Sequence, residues 1–96
     1  MAAVALSYGV DTITAITTAR QRYTLPTIGA HHDVRIYSAS DVYLELLDVS
    51  DGSARGATYQ TLVGGQQHTR RISRREFAIS GAGSQSVEVT AAPAST

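Results

Sequence analysis

The sequence contains no cysteine and no tryptophan. Without cysteine there is no disulfide framework, no thiolate nucleophile and no cysteine-ligated zinc. Lysine is missing too: the eight basic residues are Arg20, Arg22, Arg35, Arg55, Arg70, Arg71, Arg74 and Arg75. Eight acidic residues bring the formal net charge to zero. A chain that neutralises phosphates non-specifically is strongly basic, so nucleic acid is not an expected partner. No apolar run approaches the roughly 20 residues of a membrane helix, and no membrane contact is expected. The opening Met1-Ala-Ala-Val-Ala-Leu6 is apolar, but it lacks a basic leader and stops at Ser7-Tyr8-Gly9. It does not read as a signal peptide.

What is present is strand chemistry. The 96 residues suit one domain with a small core. Thr, Ser, Val, Ile and Tyr are frequent, and no helical stripe survives counting. Period-2 alternation does survive. Val34 and Ile36 alternate with Arg35 and Tyr37; Val42, Leu44 and Leu46 alternate with Tyr43, Glu45 and Leu47. Phe77 and Ile79 alternate with Ala78 and Ser80; Val87 and Val89 alternate with Glu88 and Thr90. Successive side chains of a strand point to opposite faces, so each apolar set lines one face. Ile13 and Ile16 mark an earlier strand around 12–18, and Tyr23 and Leu25 another before Pro26. Tyr59, Leu62 and Val63 lie in a weaker strand, and Ile72 in one near 69–73.

Seven or eight short strands predict an all-β fold: a single small antiparallel β-sandwich or barrel. Residues 1–10 read as a flexible N-terminal arm, 11–91 as the sandwich and 92–96 as a flexible tail. Asp41 after Ser38-Ala39-Ser40 suggests a tight hairpin between its flanking strands, and Gly81-Ala82-Gly83 a second one.

Candidate chemistry is thin. His31-His32-Asp33, with His68, contains metal-ligand types. Adjacent histidines on an extended segment point in opposite directions, which favours a solvated loop and no metal site. A Ser-His-Asp set can be drawn with His32 or His68 and Asp41 or Asp48, but no Gly-x-Ser-x-Gly elbow supports it. Gly81-Ala-Gly83 precedes no helix, and Gly64-Gly65 lacks the Lys-Ser/Thr of a phosphate loop. Asp48 and Asp51 flank a turn without the spacing of a calcium loop. The chain is therefore expected to be no enzyme and to need no cofactor.

Arg70-Arg71-Ile72-Ser73-Arg74-Arg75 is the sharpest local feature. If Ile72 faces inward, a regular strand drives Arg70 inward as well, so the stretch must be bent, at an edge, or paired to acids. It reads as an edge strand kept soluble by charge, as a docking surface for an acidic partner, or as a nucleic-acid contact. No aromatics interleave it to stack bases, which weakens the last. The all-arginine usage itself reflects GC-rich coding or a surface for bidentate contacts with carboxylates. Tyr8, Tyr37 and Tyr43 are the aromatic candidates for a partner contact. Tyr37 and Tyr43 become cross-strand neighbours if their strands pair.

The order of Asp33-Val-Arg-Ile-Tyr37, Asp41-Val-Tyr-Leu44, Thr61-Leu-Val-Gly-Gly65, Ile72, Ile79, a glycine turn and Ser86-Val-Glu-Val-Thr90 resembles the small β-sandwich virion proteins of tailed bacteriophages. Most of that group carry Leu-Pro-Ala-Gly where this chain has Leu62-Val63-Gly64-Gly65. The resemblance spans 33–90 and implies a non-enzymatic virion structural protein, a capsid decoration (cement) protein or a related head or tail accessory. It implies a homo-oligomer, the major capsid protein or another virion protein as partner, and the virion, assembled in host cytoplasm, as its location. It carries no catalytic residue. Two other classes compete: a receptor- or carbohydrate-binding module of a phage tail or fibre, using tyrosines, and a small enzyme or metal-dependent protein using His31, His32 and His68.

Overall fold

The computed structural model describes residues 3–26, 31–46, 56, 58–73 and 76–93. The described residues form nine strands and no helix. They are β1 (Val4–Ala5), β2 (Thr12–Ile16), β3 (Gln21–Thr24), β4 (His32–Ser38), β5 (Val42–Glu45), β6 (Gln60–Leu62), β7 (Gln67–Ile72), β8 (Glu76–Gly81) and β9 (Gln85–Pro93). The eight expected strands, four marked by alternation and four by sparser apolar signals, become β2 to β9. The ninth strand, β1, arises inside the stretch expected as an arm.

Alternation works as the sequence suggests. In β4, His32, Val34, Ile36 and Ser38 are buried, while Arg35 and Tyr37 are exposed. In β9, Val87, Val89 and Ala91 are buried between exposed Ser86, Glu88 and Ala92. The inward residues of both sheets meet in one core, where the Tyr23 and Phe77 rings stack with centroids 5.3 Å apart. Ile13 and Ile16 lie three residues apart and so face opposite ways: Ile16 is buried and Ile13 exposed.

The two sheets have orders β1-β3-β8-β5-β6 and β2-β9-β4-β7. Every pair is antiparallel except β1 with β3. Four of the pairs are nested: β2 with β9, β3 with β8, β4 with β7 and β5 with β6. That is one long hairpin, turning between β5 and β6, wrapped into two layers. The eight strands β2 to β9 therefore have the strand order of a jelly roll, the double-Greek-key form of a β-sandwich.

This wrapping overturns both expected hairpins. β4 and β5 lie in different sheets, and so do β8 and β9. The Ser38–Asp41 and Gly81–Gln85 links are corners that cross between layers. The sequence shows a turn at each place but not where the next strand goes. The corners hold each other: Gln85 Nε2 donates to Ser38 Oγ at 3.0 Å and to the carbonyls of Ser40 and Asp41 at 3.2 Å. The β6–β7 turn closes on the same place. Gly64 N donates to Asp41 Oδ1 at 2.8 Å, and Gly65, at φ +78°, donates to the Ser38 carbonyl at 2.8 Å.

The N-terminal segment is likewise part of the sandwich. Val4 and Ala5 pair with Tyr23 and Thr24, and Leu6 N donates to the Thr24 carbonyl at 2.9 Å. Leu6 is buried in the core. The chain then crosses to the other sheet, where Tyr8 bridges to Ala91 and Gly9 N donates to the Ala91 carbonyl at 3.0 Å. A buried leucine gains about 2 kcal/mol from leaving water, which adds to the strand and bridge hydrogen bonds in offsetting the cost of ordering the segment. At the other end β9 runs to Pro93, two residues into the expected tail.

Candidate functional site

The two outer faces of the sandwich differ. On the β3-β8-β5 side, Ala78 and Ser80 of β8 alternate with core-facing Phe77 and Ile79, yet they too are buried. Charged neighbours cover them. Arg20 Nε donates to Glu45 Oε1 at 3.0 Å and Arg20 Nη2 to Oε2 at 2.8 Å, with Glu45 only 3% exposed. Gly56 N also donates to Glu45 Oε2, at 3.2 Å. Donating to the Glu45 carboxylate raises the Arg20 pKa above its ordinary value and outweighs the effect of burial, so the guanidinium stays charged. Arg22 and Glu76 make a looser pair at 3.5 Å. This face is closed by the chain's own groups.

The outer face of β2-β9-β4-β7 is open, and its register fixes a grid. One row holds Ile13, Glu88, Tyr37 and Gln67 side by side. The next holds Thr90, Arg35 and Thr69, and the third Ala92, Asp33 and Arg71. At about 4.8 Å between strands, the first row spans roughly 14 Å. Ile13 is 66% exposed and Tyr37 37% exposed. Arg71 sits 3.5 Å from Asp33 and is itself more than half exposed. Arg35 makes no ion pair among the described residues. Thr90 Oγ1 donates to Asp11, which ties the start of β2 to β9.

The residues singled out in the sequence are thus distributed, not gathered. Tyr37 and Arg71 share the open face. Tyr43 lies on the opposite face, edge-on to Tyr59 with centroids 5.1 Å apart. Tyr37 and Tyr43 are therefore not cross-strand neighbours, because the β4–β5 corner carries their strands into different sheets. Arg70 has the inward parity of Ile72, and the edge resolves the conflict. β7 is the last strand of its sheet, and Arg70 Nε reaches β6 of the other sheet, donating to Gln60 Oε1 at 3.1 Å. Arg74 and Arg75 lie outside the described residues, as do Leu47, Asp48 and Asp51.

Tyr8 packs on His32, with ring centroids 5.6 Å apart and its hydroxyl 2.9 Å from His32 Nε2. His32 is completely buried, and its Nδ1 has no hydrogen-bond partner. His31 beside it is exposed, but the solvated loop expected here is not found at His32, which opens β4 and points into the core. His68 pairs with Ile36, four positions along β4 from His32, and its Nε2 lies 2.9 Å from the Val63 carbonyl. The histidines do not converge. No group of three metal-ligand side chains occurs among the described residues.

Sequence reasoning did not single out Ile13 or Arg35 as contact candidates. The spacing of Ile13 from Ile16 and the position of Arg35 between Val34 and Ile36 were the available signals. It also missed an apolar cleft of about 180 Å³ beside Tyr59, lined by Leu44, Leu46, Thr58, Tyr59 and Gln60. That cleft lies where the paired strands β5 and β6 end, a placement no local pattern encodes.

No family model, curated protein or solved structure matches this chain.

Proposed function

We propose that the chain is a non-enzymatic virion structural protein, a capsid decoration protein that binds the capsid lattice through the open face of β2-β9-β4-β7. The observation that carries this reading is the contrast between the two faces. One is closed over Ala78 and Ser80 by Arg20, Glu45 and Gly56; the other presents Ile13 and Tyr37 beside Arg35 and Arg71. Exposed apolar side chains ringed by polar ones mark contact surfaces. The exposed Arg35 guanidinium, with no ion pair among the described residues, suits a carboxylate on a partner such as the major capsid protein. Jelly rolls serve in viral capsid domains, but also in lectins and cupins, so the architecture alone does not choose a function.

The test is the composition of intact particles. A lattice-binding protein is present on the order of hundreds of copies, because individually weak contacts need multivalency. Tyr37→Ala combined with Arg71→Glu is expected to lower occupancy while leaving the isolated fold intact. Absence from particles, or unchanged occupancy of the double variant, overturns the reading.

A second reading has its own observation. The Tyr43–Tyr59 pair beside the apolar cleft suits a receptor- or carbohydrate-binding module. Glycan-array binding that disappears in Tyr59→Ala supports this module over the decoration protein.

A further inference from the structure

The four sheet edges are not alike. β1 is two residues long and β6 three, too short to template much pairing. β7 is longer but carries Arg70 and Arg71, and charge blunts an edge. β2 has none of these protections. From Thr12 to Ala19 the chain reads Thr-Ile-Thr-Ala-Ile-Thr-Thr-Ala, with no charge, glycine or proline. β2 ends its sheet, and among the described strands only β9 pairs with it. Ile13 and Ala15, which face outward from it, are both exposed.

We infer that β2 pairs antiparallel with β2 of a second copy of this chain, joining two four-stranded sheets into one continuous sheet. An edge with unpaired N–H and C=O groups takes an extended strand. Charge argues that the strand is its own copy. A two-fold contact sets the same segment of both copies side by side, so a charged edge strand meets like charge, whereas 12–19 holds no charge to repel. The same contact at β7 would bring Arg70 and Arg71 against themselves. Full overlap of the five residues sets the register. Thr14 lies on the two-fold axis opposite Thr14 of the other copy, where paired threonines hydrogen-bond. Ile13 then lies opposite Ala15 on the outer face, and Thr12 opposite Ile16 on the inner. The joined sheets present two open faces side by side.

Sedimentation and light scattering of the purified chain test this. The wild type is expected to have twice the mass of one chain over a wide concentration range. Ile13→Lys with Ala15→Lys, both on exposed positions, is expected to give a monomer with an unchanged circular dichroism spectrum and a melting temperature that no longer depends on protein concentration. Because the chain has no cysteine, Thr14→Cys supplies a unique thiol on the axis, and mild oxidation is expected to cross-link it. Thr12→Cys is expected to stay uncross-linked, since its counterpart sits roughly 13 Å away along the strand. A monomeric wild type, an open-ended polymer, or a double-lysine variant that remains dimeric overturns the proposal. So does a dimer in which Thr12→Cys cross-links and Thr14→Cys does not.

Discussion

Arg20 holds Glu45 by two hydrogen bonds across the small side chains of Ala78 and Ser80, with 14% and 3% of the two side chains exposed. Removing one member of such a buried pair strands the other. Glu45→Ala is expected to lower the unfolding free energy by about 3 kcal/mol. Glu76→Ala removes a longer and more exposed contact with Arg22, and is expected to cost less than about 1 kcal/mol. Urea denaturation of both variants measures the difference.

Leu6 and Tyr8 make the N-terminal segment a structural component. Leu6→Ala is expected to cost about 2–4 kcal/mol, since it opens a cavity where β1 meets the core. Tyr8→Phe removes the hydrogen bond to His32 and keeps the stacked ring, so its expected cost is about 1 kcal/mol. Thermal melts rank the two. If residues 1–9 were an independent arm, deleting them would leave the melting temperature unchanged; a large drop is expected.

Tyr23 sets an alkaline limit. Its hydroxyl is buried with no well-formed hydrogen bond among the described residues, and burial pushes its pKa up to about 12, with a loose hydrogen bond to the Thr14 side chain opposing the rise. The unfolded tyrosine ionises near 10. Below that pH both states are protonated and stability is unaffected. Between 10 and about 12 the unfolded state loses its proton first, so stability falls as pH rises, by roughly 2–3 kcal/mol at most. Tyr23→Phe is expected to be neutral or slightly stabilising at pH 7, because it deletes a buried, poorly satisfied group. Denaturation curves across the alkaline range are expected to fall less steeply for the variant than for wild type.

Gly64 is needed for its missing side chain. A Cβ there would lie 2.5 Å from the backbone of Ser40 and 2.8 Å from the Ala39 carbonyl oxygen. Gly64→Ala must push apart the β4–β5 corner and the β6–β7 turn, at an expected cost of about 1–3 kcal/mol. Gly83 has open space around its Cβ direction and no positive φ, so Gly83→Ala is expected to be neutral or mildly stabilising. Comparing the two melts separates packing from chain entropy.

Alternation made the strands legible, because Val34, Ile36, Phe77, Ile79, Val87 and Val89 are each placed by a period of two. The same parity foretold the conflict at Arg70, which the structure settles at an edge against Gln60. Layer assignment was not legible. A corner and a hairpin both start with residues such as Asp41 or Gly81, and only long-range bonds such as those of Gln85 distinguish them. The surface was half legible for the same reason. Tyr37 was placed outward correctly, but its neighbours Glu88 and Gln67 come from distant parts of the chain. The apolar opening residues carried no alternation to reveal that Leu6 enters the core.

The nesting of β5·β6 within β4·β7, then β3·β8, then β2·β9 also orders events in time. Each inner pair, once formed, shortens the loop that the next pair must close. Zipping outward from the turn is therefore the route with the smallest entropic steps, and a topology this rich in distant pairings folds slowly. β2 joins last and becomes a straight, paired edge only when β9 is in place. A nascent or damaged chain lacks that edge, so pairing through β2 would admit only molecules that have finished folding.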